Sequence, residues 1–364
     1  MTIQRLLLHN FRNLHAAELY PSAGLNMICG KNASGKTSLL EAIYLLGLAR
    51  SFRSKKLSRL IEHDQPAFTL YAQLLDCRGY RCSLAIQRQA AREETEIQLN
   101  GRRPGHLVEL TAQLPLQLIN PDAFRLLEGG PGERRRFLDW GVFHQEPGFI
   151  HVWQRFQRAL KQRNSLLRHD RIDLLQLDLW EQELAATGEQ VTAFRKAYLD
   201  QLQPVFYQLL DQLSSIENLQ IHFLRGWDKS LAFLSALQNG QKKDSEQGFT
   251  QTGPQRADLR IQVAGRSAAE VLSRGQQKLV VSALKLAQGQ LLAEATRKRC
   301  VYLIDDLPAE LDRQHREVFC QVLEQQSSQV FITSVEASAL DIAWRNPEKH
   351  LWFHVEQGQI SPQT

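Results

Sequence analysis

The sequence predicts an α/β fold with a mixed sheet that is interrupted by an inserted helical lobe. Strand and helix patterns occur near both ends of the 364-residue chain, and helical spacing dominates from about residue 122 to 235. One hydrophobic core seldom exceeds roughly 250–300 residues, so two lobes are expected. We divide the chain into an N-terminal α/β part at 1–120, a helical lobe at 121–250 and a C-terminal α/β part at 251–364.

The composition is typical of a soluble globular protein, with 43% hydrophobic and 23% charged residues. Lysine and arginine number 44 against 39 acidic residues, and this net charge of +5 slightly favours an anionic partner. No run reaches the ~18 apolar residues of a membrane span and no signal peptide is evident, so a cytoplasmic location is expected. The cysteines lack zinc or disulfide spacing and are expected to be buried thiols: Cys29, Cys77, Cys82, Cys300 and Cys320.

The helical part carries a heptad-like stripe from Leu177 to Tyr198, which predicts an antiparallel helix pair within the lobe. Pro204 is expected to kink or end that helix. The following segment, "LQNGQKKDSEQGFTQTGPQ", is rich in glycine, glutamine and lysine and is expected to be a loop. The strand pattern "DLRIQV" then returns the chain to the α/β part.

The segment "GKNASGKT" fits the phosphate-loop pattern G-x-x-x-x-G-K-[ST] and lies between a strand and a helix. Such a loop turns its backbone N–H groups and the positive helix end toward phosphates. Lys36 would contact the β- and γ-phosphates of ATP, and the Thr37 hydroxyl would ligate Mg²⁺. The predicted ATP-binding residues are Gly30, Lys31, Asn32, Ala33, Ser34, Gly35, Lys36 and Thr37.

The apolar strand "VYLI" ends in Asp305 and Asp306. Asp305 would hold Mg²⁺, and Asp306 would position or deprotonate the attacking water. With Lys36 they form the predicted catalytic set. The alternative is that both carboxylates only cap the next helix.

The segment "LSRGQQK" begins at Leu272 and resembles a second anion-binding helix start. One γ-phosphate rarely needs two such loops from one subunit, so this loop is predicted to close over ATP held by another copy. Its residues are Ser273, Arg274, Gly275 and Gln276. The alternative is an ordinary capped helix.

Together, "LSRGQ", "IDD" and "PAELD" resemble the ABC-type ATPases. The resemblance implies an ATPase head, and it places Asp312 in the D-loop at the seam of a head dimer. "LLHNFRNL" at 7–14 resembles the SMC-like DNA-repair ATPases. "LEGGPGERRRFLDW" at 127–140 and "TGPQRADL" at 252–259 resemble the RecF family of bacterial recombination mediators. That resemblance implies ATP-dependent binding to gapped, single-stranded or junction DNA, slow DNA-stimulated hydrolysis, and action with RecR, RecO and RecA.

Several positions depart from these families. Asp306 stands where most ABC ATPases carry glutamate, which predicts slow turnover. Ser334 follows Thr333 where many have a switch histidine, so the γ-phosphate sensor is unassigned. Gln255 replaces an expected histidine, and Gln117 is a weak candidate for the Q-loop.

Basic residues concentrate at 49–59 and along the predicted helix 150–168, where Arg155, Arg158 and Arg163 lie largely off the apolar stripe. The DNA-binding candidates are Arg53, Lys55, Lys56, Arg155 and Arg158. The alternative is a solvated helix face, and Trp153 and Phe156 are expected to be core residues. Arg134, Arg135 and Arg136 are expected to contact DNA or the neighbouring lobe or subunit.

Three other functions compete with this interpretation. The spacing and the missing histidine disfavour a transporter ATPase, and too few residues follow Asp306 for a metal nuclease of the SMC-like group. A structural DNA tether with an idle nucleotide site remains the alternative.

Overall fold

The computed structural model describes residues 1–76, 78–92, 94–169, 173–342, 344–345, 348 and 350–363. These residues form two compact units. The first unit contains 1–123, 212–214 and 278–364, and the second contains 124–211 and 215–277.

The strands are β1 (Thr2–Phe11), β2 (Leu14–Leu19), β3 (Leu25–Cys29), β4 (Ala67–Leu75), β5 (Arg81–Gln89), β6 (Thr95–Leu99), β7 (Leu116–Ile119), β8 (Leu219–Leu224), β9 (Asp258–Val263), β10 (Arg266–Ser267), β11 (Val301–Ile304), β12 (Gln329–Ser334), β13 (Leu351–Glu356) and β14 (Gln359–Gln363). The α-helices are α1 (Lys36–Leu48), α2 (Val108–Gln113), α3 (Arg125–Glu128), α4 (Pro131–Gln145), α5 (Phe149–Leu166), α6 (Leu174–Leu213), α7 (Phe233–Gln247), α8 (Ala268–Val271), α9 (Arg274–Thr296), α10 (Leu307–Glu310) and α11 (Arg313–Gln325).

A sheet with the strand order β14-β13-β3-β12-β11-β7 lies at the centre of the first unit. Its neighbouring strands pair in parallel except for the edge pair β13–β14, which is antiparallel. The middle strands are buried along their whole length, which explains the continuous apolar run of β11. Because the sheet is mixed and packs with helices, the predicted α/β class is confirmed.

An antiparallel sheet of order β2-β1-β4-β5-β6 completes the first unit. Burial alternates along β4 and β5, so one face of this sheet is apolar and packs inward. Leu6 of this sheet, Leu39 and Ile43 of α1, and Leu303 of the central sheet belong to one buried cluster. Helix α1 is therefore anchored by the core that both sheets share, and its first turn is held rigidly at the end of β3.

The second unit is helical but also contains a small antiparallel sheet of order β10-β9-β8. Pairing of β9 with β8 places residues 251–277 with the second unit, so the predicted lobe boundary at residue 250 is wrong. Helix α6 continues through Pro204 to Leu213 instead of ending there. The buried stripe of α6 includes Leu177, Leu184 and Tyr198, as its heptad spacing indicated.

Two sequence expectations fail in this unit because tertiary packing overrides local signals. The segment expected to be a loop forms most of α7, whose Phe233 and Leu237 are fully buried. Arg163 was placed off the apolar stripe of α5 but is 0% exposed. Its guanidinium binds the Glu181 and Asp244 carboxylates and the Thr250 hydroxyl at 2.7–2.8 Å. This arginine is therefore a structural residue.

In the described residues, no helix is long and apolar enough to cross a membrane. Cys29, Cys82, Cys300 and Cys320 are free and buried, and burial raises the pKa of each thiol, to about 11 for Cys29. Cys77 lies outside the described residues.

Candidate nucleotide site

The loop from residue 30 to 35 connects the end of β3 to the start of α1 and leaves no room for larger residues at its two key glycines. A Cβ atom at Gly30 would lie 2.1 Å from the carbonyl oxygen of Val355. Gly35 has φ of +124°, a conformation that side chains disfavour. The turn between β13 and β14 supports the loop, because the Gly358 N–H donates to the Ser34 carbonyl at 2.9 Å. The loop is thus held from the sheet edge.

The Lys36 ammonium lies over this loop and is nearly buried. It donates to the carbonyl oxygens of Gly30 at 2.6 Å and Lys31 at 2.8 Å. Burial lowers the pKa of Lys36, and the nearby carboxylates of Asp306 and Asp305 oppose that shift. A cation restrained in this way is preorganised to meet an anion at the helix N-terminus.

A chain of hydroxyl and carboxylate groups joins the ends of three structural elements. The Thr37 hydroxyl at the start of α1 lies 3.0 and 3.2 Å from the two Asp305 carboxylate oxygens. The Thr333 hydroxyl of β12 donates to Asp305 at 2.9 Å and accepts from the Asp306 N–H at 2.8 Å. Thr333 is fully buried, so it fixes both aspartates from behind. No motif in the sequence marks this hydroxyl as a site group.

Asp306 occupies a left-handed backbone conformation, with φ of 52°. Its carboxyl is partly withdrawn from water, and burial followed by repulsion from Asp305 raises its pKa. Lys36 opposes that rise. Strain and a perturbed carboxyl at one residue are features that concentrate at functional sites.

These groups line a cleft of about 770 Å³ within the first unit, which is a size suited to a nucleotide. The lining includes Asn32 to Ser38, Asp305, Asp306 and Thr333. It also includes Arg12 and Asn13, which the sequence analysis quoted in "LLHNFRNL" but did not assign to a site. Asn13 donates to the Ala33 carbonyl at 3.1 Å and accepts from the Ser38 hydroxyl at 2.8 Å. This segment therefore braces the glycine-rich loop.

Glu41 of α1 is fully buried and anchors two cations of the cleft wall. Arg12 donates to both of its carboxylate oxygens at 2.9 Å, and Arg53 lies 3.8 Å away. The Ser51 hydroxyl also binds Glu41. The basic segment 49–59 is thereby attached to the helix that begins at the phosphate loop. Lys55 and Lys56 in this segment are exposed.

The predicted signature residues Ser273, Arg274, Gly275 and Gln276 lie in the second unit at the start of α9 and are exposed. Ser273 and Gln276 form a reciprocal capping box: the Gln276 N–H donates to the Ser273 hydroxyl at 3.3 Å, and the Ser273 N–H donates to the Gln276 side chain at 3.0 Å. Arg274 forms an ion pair with Glu128. Both the signature role and the alternative of a capped helix are compatible with this arrangement.

Asp312, the predicted D-loop residue, caps α11 by accepting from the His315 N–H at 3.0 Å. Hydrogen bonds from His315 lower the pKa of this carboxyl, and the side chain remains mostly exposed. Near Asp312 in the sequence, the Ala309 carbonyl accepts a hydrogen bond from the Lys278 ammonium of α9 at 2.8 Å. The part of α9 that belongs to the first unit is thus tied to the segment that follows Asp306.

Three residues at positions compared with the families are absent from the cleft lining: Gln117, Ser334 and Gln255. Gln117 is buried inside β7 and donates to the Gln288 side chain at 2.9 Å, so the structure adds no support to this weak Q-loop candidate. The Ser334 hydroxyl donates to the Glu336 carbonyl at 2.8 Å, whereas Val335 lines the cleft. Gln255 donates to the Thr252 carbonyl at 2.7 Å and stabilises a turn.

The basic residues of the second unit have different roles. Arg134 binds Asp258 at 2.7 Å, and Arg135 donates to the Ala257 carbonyl at 2.7 Å, so both stabilise their own unit instead of a neighbour. Arg155 is paired with Glu183 at 2.8 and 2.9 Å, while Arg158 is exposed. Arg136 pairs with Glu133. Phe156 is buried core, as expected, and Trp153 is half-buried.

Comparison with known proteins assigns this architecture to a family. The family model described as "RecF/RecN/SMC N terminal domain" matches residues 2–358. The chain is 49% identical over 364 residues to the "DNA replication and repair protein RecF" of Pseudomonas aeruginosa strain UCBPP-PA14, covering 100% of this chain and 98% of that protein. It is 52% identical over 360 residues to the protein of the same name from Chromohalobacter salexigens, covering 99% of each.

Solved structures show the same fold. A structure of "the recombination mediator protein RecF-ATP in RecFOR pathway" superimposes with a TM-score of 0.86 at 26% identity, covering 100% of this chain and 98% of that one. An SMC head bound to the C-winged helix domain of ScpA superimposes with a TM-score of 0.60 at 14% identity, covering 100% and 98%. The SMC similarity concerns the fold alone.

Proposed function

This chain belongs to the RecF family of DNA replication and repair proteins, and from that premise we propose that it is an ATP-dependent DNA-binding protein of recombinational repair. ATP binding joins two copies, the closed dimer clamps gapped or junction DNA, and hydrolysis releases it. The observation that carries the proposal is the Thr37–Asp305–Thr333 hydrogen-bond chain beside Lys36.

The ATP site consists of the residues from Gly30 to Thr37. Lys36 neutralises the β- and γ-phosphates, and the N–H groups at the start of α1 bind phosphate oxygens. The Thr37 hydroxyl and the Asp305 carboxylate suit Mg²⁺, which prefers one or two protein oxygens together with phosphates and water. When bound, Mg²⁺ supplies positive charge to the reacting phosphate.

Asp306 orients the attacking water and accepts its proton. Its raised pKa makes it a better proton acceptor than an ordinary aspartate. Its side chain is one methylene shorter than the glutamate of most ABC ATPases, which holds the carboxylate farther from the water. We therefore propose that the protein hydrolyses ATP slowly and that DNA stimulates the reaction. Hydrolysis would then set how long the closed dimer persists.

The second half of each ATP site comes from another copy of the chain. Ser273 to Gln276 form an exposed, capped helix start, which is suited to binding a phosphate presented from outside. Asp312 lies in the proposed dimer seam. ATP then binds the closed dimer more tightly than the open monomers and shifts the population toward closure.

DNA contacts are proposed for Arg53, Lys55 and Lys56 in the first unit and for Arg158 in the second. Arg155 is the weakest candidate because Glu183 already neutralises it. The solved relative belongs to a RecFOR pathway, and by that relation we propose RecR and RecO as partners and RecA loading as the outcome.

Light scattering tests the proposal through the mass in solution without nucleotide, with ADP, with Mg-ATP, and with Mg-ATP on Ser273→Arg. The proposal requires that ATP doubles the mass and that Ser273→Arg prevents doubling while ATP still binds. A mass that never changes, even with DNA present, would refute the dimer clamp. The favoured function would then be a structural DNA tether with an idle nucleotide site. That alternative is excluded if the protein has ATPase activity that Lys36→Ala and Asp306→Asn both abolish.

A further inference from the structure

A second cavity, of about 850 Å³, lies in the first unit at the edge of the central sheet opposite the nucleotide cleft. Its lining residues at 113, 297–299 and 326–327 immediately precede β7, β11 and β12, whereas Asp305 and Val335 follow β11 and β12. Because these strands are parallel, the two cavities lie at opposite strand ends. The four residues of β11 alone separate them by roughly 13 Å.

The cavity is strongly cationic. Arg297, Lys298 and Arg299 form a continuous basic run between α9 and β11, and Arg78 contributes from the turn between β4 and β5. None of these four side chains has an ion-pair partner within the described part of the chain. Lys298 donates to the Ala112 carbonyl at 3.3 Å and Arg299 to the Ser327 carbonyl at 2.9 Å. These bonds fix the cationic groups without neutralising them.

Asp76 is the single carboxylate among the described lining residues, and it is already engaged. It accepts from the backbone N–H groups of Arg78 and Tyr80, each at 2.8 Å, and so closes the turn. Asp76 attracts Arg78, but no carboxylate among the described lining residues offsets Arg297, Lys298 and Arg299, so the cavity keeps an excess of positive charge. Such an excess attracts an anionic ligand and is costly without one.

The size and lining of the cavity select among anionic ligands. It is larger than the nucleotide cleft of about 770 Å³, so a single phosphate group would leave most of it unfilled. A DNA duplex presents phosphates on a rigid convex surface and is better matched by a track of cations than by a cavity. Met1 and Ala293 add apolar surface, and Gln113 adds an amide that matches a peptide backbone.

We propose that this cavity docks an acidic, extended peptide segment of a partner protein. Its carboxylates pair with Arg78, Arg297, Lys298 and Arg299, and its apolar side chains contact Met1 and Ala293. Guanidinium groups bind carboxylates in a bidentate manner, which gives the site orientation as well as charge. Because the cavity lies at the opposite strand ends from the phosphate loop, docking there leaves the nucleotide cleft open.

Fluorescence anisotropy with a labelled decaglutamate peptide tests this proposal on the full-length chain. Arg297→Glu with Arg299→Glu should raise the Kd for the peptide by at least tenfold, with binding that weakens as salt is added. Arg102→Glu with Arg103→Glu is the matched control, because it changes the same charge at an exposed turn of the same unit. It should leave the Kd within about twofold, since neither residue lines the cavity.

Binding of an ATP analogue and of a labelled oligonucleotide is measured on the same variants. Both should be unchanged in the Arg297/Arg299 variant, which also verifies folding and separates this proposal from the proposed ATPase function. If the charge-reversal variant does not fold, the neutral variant Arg297→Gln with Arg299→Gln is used in its place. The proposal is overturned if the Arg297/Arg299 variant binds the peptide as tightly as wild type, or if the control variant loses the same affinity. It is also overturned if the Arg297/Arg299 variant loses only oligonucleotide binding, which would assign the cavity to nucleic acid.

Discussion

Replacing Thr333 by valine removes one hydroxyl from behind the Asp305 and Asp306 carboxylates and keeps the side-chain volume. The hydroxyl donates to Asp305 at 2.9 Å and accepts from the Asp306 N–H at 2.8 Å, and Thr333 is 0% exposed. A hydrogen bond to a charged group contributes about 1.5–3 kcal/mol, and an orphaned buried N–H costs about 1–3 kcal/mol. Because Thr37 still binds Asp305, we expect a net destabilisation of about 2–4 kcal/mol.

The assay is urea unfolding of Thr333→Val beside Thr333→Ser, which retains the hydroxyl and loses only the methyl group. Amide hydrogen exchange at Asp306 supplies a local measurement, since its N–H loses its acceptor only in the valine variant. ATP hydrolysis should also fall in the valine variant, because Asp305 loses one of the two hydroxyls that orient it. If the valine and serine variants are equally stable and exchange the Asp306 amide at equal rates, the bracing role of this hydroxyl is refuted.

Further expectations concern charge. The pKa of Asp306 is raised, so folding favours its protonated form, and this stabilisation is lost as pH rises through the folded pKa. Asp306→Asn should therefore be more stable than wild type at pH 7 and lose that advantage below the unfolded pKa of about 3.8, as thermal melts across pH would show. Arg163→Met should destabilise the second unit by about 3–5 kcal/mol in urea unfolding, because two buried carboxylates lose their cation. Arg158→Ala should weaken DNA binding and reduce its salt dependence, whereas Arg155→Ala should change both much less, in titrations at several salt concentrations.

Each expectation has its own contrary outcome. An advantage of Asp306→Asn that persists in acid would show that removal of charge is not its cause. For Arg163, adding Glu181→Gln and Asp244→Asn to the variant should recover part of the loss, and no recovery would contradict the ion-pair account. Equal effects of the two alanine variants on DNA binding would mean that Glu183 releases Arg155 when DNA is bound.

The sequence predicted the parts of the site whose chemistry is local. Gly35 and Lys36 belong to one short loop, and Asp305 follows an uninterrupted apolar strand. The loop and the carboxylate at the strand end can therefore be recognised without tertiary information. Arg12 and Glu41 are different, because their pairing joins residues 29 positions apart that only the packed sheet and α1 bring together. In the sequence, Thr333 is notable only as the residue before the position of the missing histidine. In the structure, its hydroxyl bonds to the Asp305 carboxylate and the Asp306 N–H.

Local signals failed where packing supplied the deciding free energy. The composition of the segment that contains Asn239 and Gly240 predicted a loop, yet the buried face of α7 keeps both residues helical. Pro204 was expected to kink or end its helix, yet α6 does not end there and continues to Leu213. Helical spacing also placed Arg163 away from the apolar stripe, and it could not reveal that Glu181 and Asp244 from other segments would bury it.

The strand order β14-β13-β3-β12-β11-β7 determines when the protein acquires its nucleotide site during synthesis. Strand β3 and the phosphate loop leave the ribosome early, but both neighbours of β3 belong to the last part of the chain to be translated. At roughly 5–20 residues per second, the intervening 300 or so residues take about 15–60 s. The second unit, which ends at residue 277, is translated before β11, when the loop still has no central sheet to support it. A nascent chain therefore carries the phosphate-loop motif long before it carries the sheet that completes the proposed nucleotide site.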